Sequence, residues 1–208
     1  MTRIVGLLTV VVAACSPRNP LVTESSDPTP LPDAENGWPG VLPEYEDYEG
    51  DGAQVGDFLY DFDLLDQHGN YARFAQMLGA VLIVDASTRW CGPCNEAAQT
   101  SMELLGRMRE LGPTWITTLL VQDFNGLPAT VNDAAEWADG YGIDYPVVVD
   151  DNGQTAASWS VLSYPVFLWV APTGEIYHRS DAHLPDDEAL ALVAQGLEDW
   201  SDSLRPMP

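Results

Sequence analysis

The pattern of apolar and polar positions becomes that of a folded domain at about Val55. From Val55 to Phe74, two short apolar stretches flank the polar segment DQHGN, which predicts two short strands joined by a turn. Two later segments, GAVLIVDA at residues 79–86 and WITTLLVQD at residues 115–123, are short, apolar and rich in β-branched residues. Such runs predict central strands that are buried on both faces.

Helical spacing and turn signals account for most of the remaining chain. Asn95–Glu110 and Val131–Tyr141 predict helices, and the segment DYPVVVDDNG at residues 144–153 predicts a short strand that ends in a turn. The segment YPVFLWVAPTGEIYHR at residues 164–179 predicts a hairpin that turns at PTGE. Strands that alternate with helices and end in a hairpin predict a three-layer α/β sandwich around a mixed sheet.

The last predicted element is a helix over the segment LPDDEALALVAQGLEDW. Asp186 or Asp187 is expected to cap its start, because a carboxylate there accepts hydrogen bonds from the free backbone N–H groups. The helix is expected to close the domain through an apolar stripe formed by Leu190, Val193, Leu197 and Trp200.

The start of the chain, MTRIVGLLTVVVAAC, has a different pattern. One positive residue, Arg3, precedes an apolar run from Ile4 to Ala14. A bilayer-spanning helix needs about twenty apolar residues, so this run is too short for a permanent span and is typical of a secretory signal peptide. The sequence VAAC resembles the lipobox of bacterial lipoproteins, which implies cleavage before Cys15 and acylation of that cysteine. An ordinary signal peptide with an unrelated cysteine is the alternative.

Residues 15–52 are expected to form a lipidated cysteine followed by a disordered tether. Seven of the sixteen prolines lie between Ser16 and Gly52, among serine, threonine and acidic residues, with neither helical nor strand periodicity. Proline stiffens such a segment, and like charges extend it. We therefore predict, in order, a signal peptide over residues 1–14, this tether, a folded domain over residues 53–202 and a short tail over residues 203–208.

Composition changes this picture mainly through charge. The 208 residues include 32 acidic and 8 basic side chains, every basic one an arginine, and the formal net charge is −24. Phosphates would be repelled by such a chain, which argues against nucleic acid and against direct adsorption on anionic membranes. Apolar residues make up 46% of the chain, enough for a sizeable core in one domain.

Two of the three cysteines stand in the segment WCGPC, between a predicted central strand and a predicted helix. The free N–H groups and the dipole at a helix start favour an anion, and therefore the thiolate of Cys91. Cys91 is expected to be the more exposed and nucleophilic sulfur. Cys94, one turn into the helix, is expected to be more buried and able to attack a mixed disulfide on Cys91. Pro93 suits the first turn, because its missing N–H is not needed there.

A zinc site and a purely structural disulfide are the alternatives for this motif. Zinc would need two more ligands, but no second cysteine pair exists, and His68, His178 and His183 lack ligand-like spacing. A disulfide that closes a four-residue loop constrains the unfolded chain little. The favoured interpretation is therefore a redox-active disulfide, with no metal and no other cofactor.

The segment VDASTRWCGPC resembles the active-site segment of thioredoxins. Residues from Val55 to about Leu197 resemble the TlpA-like and ResA-like membrane-anchored thioredoxins of the redoxin superfamily. The matching segments are the opening VGDFLYDFDLLDQHGN, the segment YGIDYPVVVDDNG and the segment VLSYPVFLWVAPTGEI. The resemblance implies a thiol–disulfide oxidoreductase with a thioredoxin-like α/β/α sandwich, an N-terminal hairpin and a central helix–strand insert.

The resemblance also implies roles for single residues. Cys91 would be the attacking thiol and Cys94 the resolving thiol, paired as the redox disulfide. Asp85 would be a buried acid that relays the proton of Cys94; a hydrogen-bonded acid at a strand end is the alternative. Pro165 would follow a cis peptide bond, where the backbone of Tyr164 can pair with a bound substrate chain. The implied substrate-binding residues are Trp90, Gly92, Pro93, Tyr164 and Pro165.

Several positions depart from the family pattern. Ser87, Thr88 and Arg89 replace the usual residues before the motif, and Arg89 is expected either to assist a thiolate or to point into solvent. Asn95 stands where a base is common. Tyr164 is bulkier than the usual residue before the cis-proline, which predicts a narrower or differently selective substrate groove.

These features predict an extracytoplasmic oxidoreductase, tethered through a lipid on Cys15, that reduces disulfides in other proteins and receives electrons from a membrane thiol reductant. The expected location is the periplasmic side of a bacterial cell envelope, and the resemblance to Gram-negative lipoproteins implies that Ser16, a residue other than Asp after the cysteine, favours the outer membrane over the inner one. We expect a monomer. The alternatives are a thiol peroxidase, since Thr88 precedes Cys91 by three residues as in peroxiredoxins, and a non-catalytic lipoprotein that binds a partner.

Overall fold

The computed structural model describes residues 35–203, and a mixed sheet of five strands forms the centre of that region. The central strand β3 (Val81–Thr88) lies parallel to one neighbour and antiparallel to the other. The remaining strands of the sheet are β4 (Thr114–Gln122), β5 (Val147–Val149), β6 (Val166–Val170) and β7 (Ile176–Ser180). Their order across the sheet is β5-β4-β3-β6-β7, so the predicted mixed sheet and the predicted closing hairpin of β6 and β7 are confirmed.

The predicted N-terminal hairpin is also present. Strands β1 (Asp63–Leu65) and β2 (Tyr71–Arg73) are antiparallel. Asp66 stabilises the turn between them, because its carboxylate accepts hydrogen bonds of 2.9 Å from the backbone N–H groups of His68 and Asn70.

The two faces of β3 are covered by different layers. All eight residues of β3 are buried, as expected for a central strand whose two faces are both covered. Alternate residues point to opposite faces. Val81 and Ile83 belong to the hydrophobic cluster that contains the long helices, whereas Leu82 and Val84 belong to the cluster that contains the N-terminal segment. The chain is therefore a three-layer sandwich, as the sequence predicted.

Four helices complete the described region. Helix α2 coincides with the predicted helix, while α1 begins three residues before its predicted start because Pro93 is accommodated in the first turn. The short α3 was not predicted, and only its alanine pair gives a local helical signal. The helices are α1 (Gly92–Arg109), α2 (Val131–Tyr141), α3 (Gln154–Ser158) and α4 (Asp186–Ser203).

The predicted caps of α4 need correction. Asp186 and Asp187 lie inside the first turn of α4, not at the position before it. The carboxylate of Asp186 instead pairs with Arg107 on α1 at 2.5 Å. Three of the four predicted stripe residues share one cluster, with Val193 fully buried and Leu190 and Leu197 packed against it, whereas Trp200 is half-buried.

The predicted tether is too long at its C-terminal end. Trp38 is buried, and its Nε1 donates a hydrogen bond of 2.6 Å to the buried carboxylate of Asp66. The hydroxyl of Tyr48 donates to the carbonyl of Leu59 at 2.7 Å. Proline and acidic residues set the average composition of this segment, but its aromatic side chains Trp38 and Tyr48 contact the domain. The packed region therefore begins near residue 36, not at residue 53.

The predicted signal peptide, Cys15 and the first part of the tether lie outside the described residues, as does most of the predicted tail. Within residues 35–203, no helix combines the length and the apolar character that crossing a bilayer requires. Helix α4 extends to Ser203, one residue beyond the predicted end of the domain.

Candidate active site

Three strand ends meet at the edge of the sheet where the cysteine motif lies. Because β3 and β4 are parallel, their C-terminal ends share this edge, and because β6 is antiparallel to β3, its N-terminal end lies there too. The register pairs Ala86 with Val166, which brings Pro165, directly before β6, to the level of the last residues of β3. The site therefore combines segments that are more than 70 residues apart in the chain.

Cys91 and Cys94 form a disulfide at the start of α1. Cys91 is the N-cap residue, and its Sγ accepts a hydrogen bond of 3.2 Å from the backbone N–H of Cys94. Cys91 is 3% exposed and Cys94 is 0% exposed, so the predicted difference in exposure is small in this oxidised form. A thiolate on Cys91 would be stabilised by the same N–H of Cys94 and by the free N–H groups of the helix start.

Two aromatic rings flank this site. The Trp90 ring is half exposed, and its Nε1 donates to the side-chain oxygen of Gln122, at the end of β4, at 2.9 Å. The ring of Tyr164 meets that of Trp90 edge-on, with centroids 6.0 Å apart. The peptide bond between Tyr164 and Pro165 is cis, as the resemblance implied. Gly92 and Pro93 are exposed beside these rings.

Arg89 follows neither of its two predicted roles. Its guanidinium pairs with Asp133 at 2.5 Å and with Glu136 at 2.8 Å, both on α2, and its side chain is only 10% exposed. The same guanidinium lies 4.2 Å from the centre of the Phe124 ring. Two carboxylates thus neutralise the cation, which leaves it without a free charge to offer a thiolate.

Asn95 connects the motif to α2 by a second route. Its Nδ2 donates hydrogen bonds to the carbonyl of Cys91 at 2.5 Å and to the carbonyl of Arg89 at 3.2 Å. Its Oδ1 accepts a hydrogen bond from the hydroxyl of Tyr141, the last residue of α2. The sequence carried no signal for this contact, because Asn95 and Tyr141 are 46 positions apart.

Asp85 is buried beneath the motif on the α1 side of the sheet. It is 4% exposed, and its Oδ1 accepts a hydrogen bond of 2.6 Å from the hydroxyl of Ser87. Burial raises the pKa of Asp85 to about 7, although the hydrogen bond from Ser87 opposes the rise. Asp85 is therefore buried, as the proton-relay hypothesis requires, and it is also hydrogen-bonded, as the alternative requires, so its role in proton transfer stays a prediction.

A cavity of about 40 Å³ adjoins Asp85, between α1 and the sheet. Ala97, one turn after Cys94, and Ser101, one turn further, both line it. The hydroxyl of Tyr145 donates to that of Ser101 at 2.9 Å within this space. The cavity is large enough for water, which needs polar partners of the kind that Asp85 and Ser101 supply.

The arrangement suits two-electron chemistry on sulfur. It combines a disulfide, a helix start that favours a thiolate and a buried acid whose pKa is near neutrality. Among residues 35–203, no group of three His, Cys, Asp or Glu side chains is arranged to hold a metal ion. Sequence reasoning identified the cysteines, Asp85 and Pro165, but missed Gln122, Tyr141 and the serine and tyrosine at the cavity.

Residues 55–179 match the AhpC/TSA family. No curated protein matches the chain. Solved structures share its fold, although at low sequence identity.

A secreted disulfide oxidoreductase of Mycobacterium tuberculosis homologous to E. coli DsbE has 18% identity and a TM-score of 0.54, over 64% of this chain and 95% of that one. A secreted thiol-disulfide isomerase from Corynebacterium glutamicum has 16% identity and a TM-score of 0.58, over 67% of this chain and 85% of that one. Peroxidoxin BcpB from Mycobacterium tuberculosis has 18% identity and a TM-score of 0.56, over 74% of this chain and 99% of that one.

The family match covers more than half of the chain and includes the cysteine motif, Asp85 and Pro165. The solved structures agree with the thioredoxin-like sandwich seen here. The chain belongs to the AhpC/TSA family and is a thiol–disulfide oxidoreductase of thioredoxin-like fold.

Proposed function

We propose that this protein is an extracytoplasmic, membrane-tethered oxidoreductase that reduces disulfides in other proteins through Cys91 and Cys94. The observation that carries the proposal is the disulfide at the start of α1, with Cys91 as the N-cap and Cys94 inside the first turn. A helix start lowers the pKa of a cysteine thiol from about 8.5, and this makes the first cysteine the nucleophile.

The proposed reaction begins with the reduced enzyme. The Cys91 thiolate attacks one sulfur of a substrate disulfide, the substrate S–S bond breaks, and the released substrate thiolate takes up a proton. Cys94 then loses its proton and attacks Sγ of Cys91. The mixed disulfide breaks, the second substrate thiol leaves, and the Cys91–Cys94 disulfide forms. Two electrons have then passed from the enzyme to the substrate.

Asp85 is the proposed acceptor of the Cys94 proton. A carboxyl group whose pKa is about 7 is partly ionised at neutral pH and can hold a proton released nearby. Asp85 and Ala97, one turn after Cys94, line the same cavity, which supports a route for the proton through water in that cavity. The hydrogen bond from Ser87 keeps the carboxylate oriented.

The proposed substrate site lies beside the disulfide, on Trp90, Gly92, Pro93, Tyr164 and Pro165. A segment of the substrate chain would pair with the backbone of Tyr164 as an added strand. The edge-on contact of Tyr164 with Trp90 supports the proposal of a narrow groove that selects an extended, unhindered disulfide segment. A thiol reductant in the membrane is the proposed electron donor.

The direction of electron flow is decided by the reduction potential of the Cys91–Cys94 pair. The purified protein is equilibrated with glutathione buffers, and the thiol content is measured after acid quenching. A potential near about −270 mV identifies a reductant, whereas a potential near about −120 mV identifies an oxidant and contradicts the reductase proposal. Cys91→Ser is the control: it cannot form the Cys91–Cys94 disulfide, so it should show no dithiol–disulfide equilibrium.

Tethering rests on the sequence around Cys15, and we propose a lipid-anchored monomer on the periplasmic side of the outer membrane. The test is fatty-acid labelling and fractionation of cells that produce the wild type or Cys15→Ser. Wild type should carry label and sediment with outer membranes. Cys15→Ser should carry none and should not sediment with them. Label on Cys15→Ser would contradict lipidation of this cysteine.

A thiol peroxidase is the second candidate. It is supported by Thr88, three residues before Cys91, whose buried hydroxyl has no hydrogen-bond partner among residues 35–203. In that reaction the Cys91 thiolate attacks one oxygen of hydrogen peroxide, the O–O bond breaks, and the hydroxide released takes up a proton and leaves as water. The Cys94 thiol then attacks the sulfenic acid on Cys91, and the disulfide forms with loss of a second water. Peroxide consumption that is lost in Thr88→Val, while disulfide exchange persists, would support this candidate.

A further inference from the structure

Helix α2 is attached to the active-site turn near both of its ends. Near its start, Asp133 and Glu136 pair with Arg89, two residues before Cys91. At its last residue, the hydroxyl of Tyr141 donates a hydrogen bond to Oδ1 of Asn95, four residues after Cys91. The redox motif is therefore enclosed by two contacts to the same helix.

The side-chain amide of Asn95 links Tyr141 to the backbone of the cysteine motif. Its Nδ2 donates to the carbonyls of Cys91 and Arg89, and its backbone N–H donates to the same Cys91 carbonyl at 3.1 Å. A carbonyl accepts but cannot donate, so this arrangement requires the NH₂ side of the amide to face the motif. The hydroxyl of Tyr141 donates to Oδ1 on the opposite side of the amide and so stabilises that orientation.

We propose that Tyr141, acting through Asn95, is a positioning residue that sets the stability of the Cys91 thiolate and thereby the potential of the redox pair. The inference rests on the proposed thiol–disulfide exchange by Cys91 and Cys94. It assigns to α2 a part in setting the reduction potential of the cysteine pair, as well as a part in packing.

The physical reason lies in what happens when the disulfide is reduced. No covalent bond then keeps the two sulfurs together, and the Cys91 thiolate depends on the N–H of Cys94 and on the helix start. Asn95 holds the Cys91 carbonyl, and so holds the turn that presents the sulfur to these donors. Without the hydroxyl of Tyr141, the amide can rotate and the turn can loosen. The thiolate would be less stable, and the pair would become more strongly reducing.

Tyr141→Phe isolates this contact. The Tyr141 ring packs edge-on against Trp137 with centroids 5.0 Å apart, and phenylalanine retains that packing. Asn95→Ala removes the relay itself. The experiment measures the equilibrium constant with glutathione and the pKa of the Cys91 thiol, by thiolate absorbance, in the wild type, both single variants and the double variant.

Each single variant should lower the ratio of reduced to oxidised protein by roughly threefold to tenfold, the size expected from one hydrogen bond. A tenfold change corresponds to about 30 mV for this two-electron couple. The thiol pKa should rise in parallel. The double variant should differ little from Asn95→Ala, because Tyr141 acts only through Asn95.

Tyr177→Phe is the matched control. The Tyr177 hydroxyl also donates one hydrogen bond to a neighbouring helix, to the carbonyl of Leu192 on α4 at 3.0 Å. This variant should lower the melting temperature without changing the equilibrium with glutathione.

Three outcomes would overturn the inference. If Tyr141→Phe matches a wild type that does exchange with glutathione, the positioning role is wrong and the proposed function stands. If the effects of Tyr141→Phe and Asn95→Ala add, Tyr141 does not act through Asn95. If the wild type does not exchange with glutathione at all, the proposed function fails, and the inference fails with it.

Discussion

Cys91 and Cys94 are joined twice, by their disulfide and by a hydrogen bond of 3.2 Å from the backbone N–H of Cys94 to Sγ of Cys91. The donor belongs to the first turn of α1, so it remains in place when the disulfide is reduced. This relationship is asymmetric, because Cys91 receives the hydrogen bond and Cys94 supplies it.

The asymmetry predicts different behaviour of the two serine variants. Cys94→Ser should retain the attacking thiolate but lack the resolving thiol, so it should accumulate a mixed disulfide with glutathione. Cys91→Ser should form such an adduct at least about tenfold more slowly, because Cys94 is fully buried and is not the N-cap of α1. Intact-mass spectrometry of non-reduced protein measures both. Equal rates of adduct formation would contradict the assigned roles.

Asp85 predicts a pH-dependent stability. The folded-state pKa is about 7 and the ordinary value is 3.8, so between these values the folded protein binds a proton that the unfolded protein has lost. Stability from this group is complete below about pH 4 and declines as pH rises through about 7, by a total on the order of 4 kcal/mol.

Asp85→Asn tests this dependence, because the amide keeps an acceptor for Ser87 and cannot ionise. At pH 8 the variant should be more stable than the wild type by roughly 1–4 kcal/mol, and at pH 4 the difference should shrink. Urea denaturation at the two pH values measures it. A difference that grows toward acid would show that Asp85 is stabilised as a carboxylate.

The two arginine pairs on α1 and its preceding turn should differ in importance. Arg89→Met leaves the largely buried Asp133 without its cation and should destabilise the fold by about 1–3 kcal/mol. Arg107→Met removes a pair whose side chains are 42% and 45% exposed, and should change stability by no more than about 0.5 kcal/mol. Urea denaturation compares them. Equal losses would mean that burial does not decide the strength of these pairs.

Trp38 predicts where the folded unit begins. A chain that starts at residue 35 should be as stable as the full chain, whereas a chain that starts at residue 53 should lose several kcal/mol. Trp38→Phe keeps the aromatic ring and removes the hydrogen bond to the buried Asp66, which should reduce stability by about 1–3 kcal/mol. Calorimetry of the full chain, the two shortened chains and Trp38→Phe checks this. If removal of residues 35–52 leaves the stability unchanged, these residues belong to the tether, as their composition predicted.

Local sequence patterns were sufficient to predict the strand and the helix that position the two cysteines and Asp85. The apolar run at residues 79–86 predicted β3, because a strand covered on both faces needs apolar residues throughout. The motif WCGPC after that strand placed the two cysteines at the start of α1, and the burial of Asp85 followed from its place within the same strand. Composition was a poorer guide over residues 35–52, because it averages over the few aromatic residues that attach the segment.

The sequence by itself determined the order of the strands and of every α-helix except the short α3, together with the cysteine pair and its place at a helix start, because these depend on neighbours along the chain. Only the tertiary structure decided the partners of Arg89 and Asn95, the cavity beside Asp85 and the meeting of Trp90 with Tyr164. Those contacts join residues 44 to 74 positions apart, and hydrogen bonds and ring contacts require a precise distance that no local periodicity encodes.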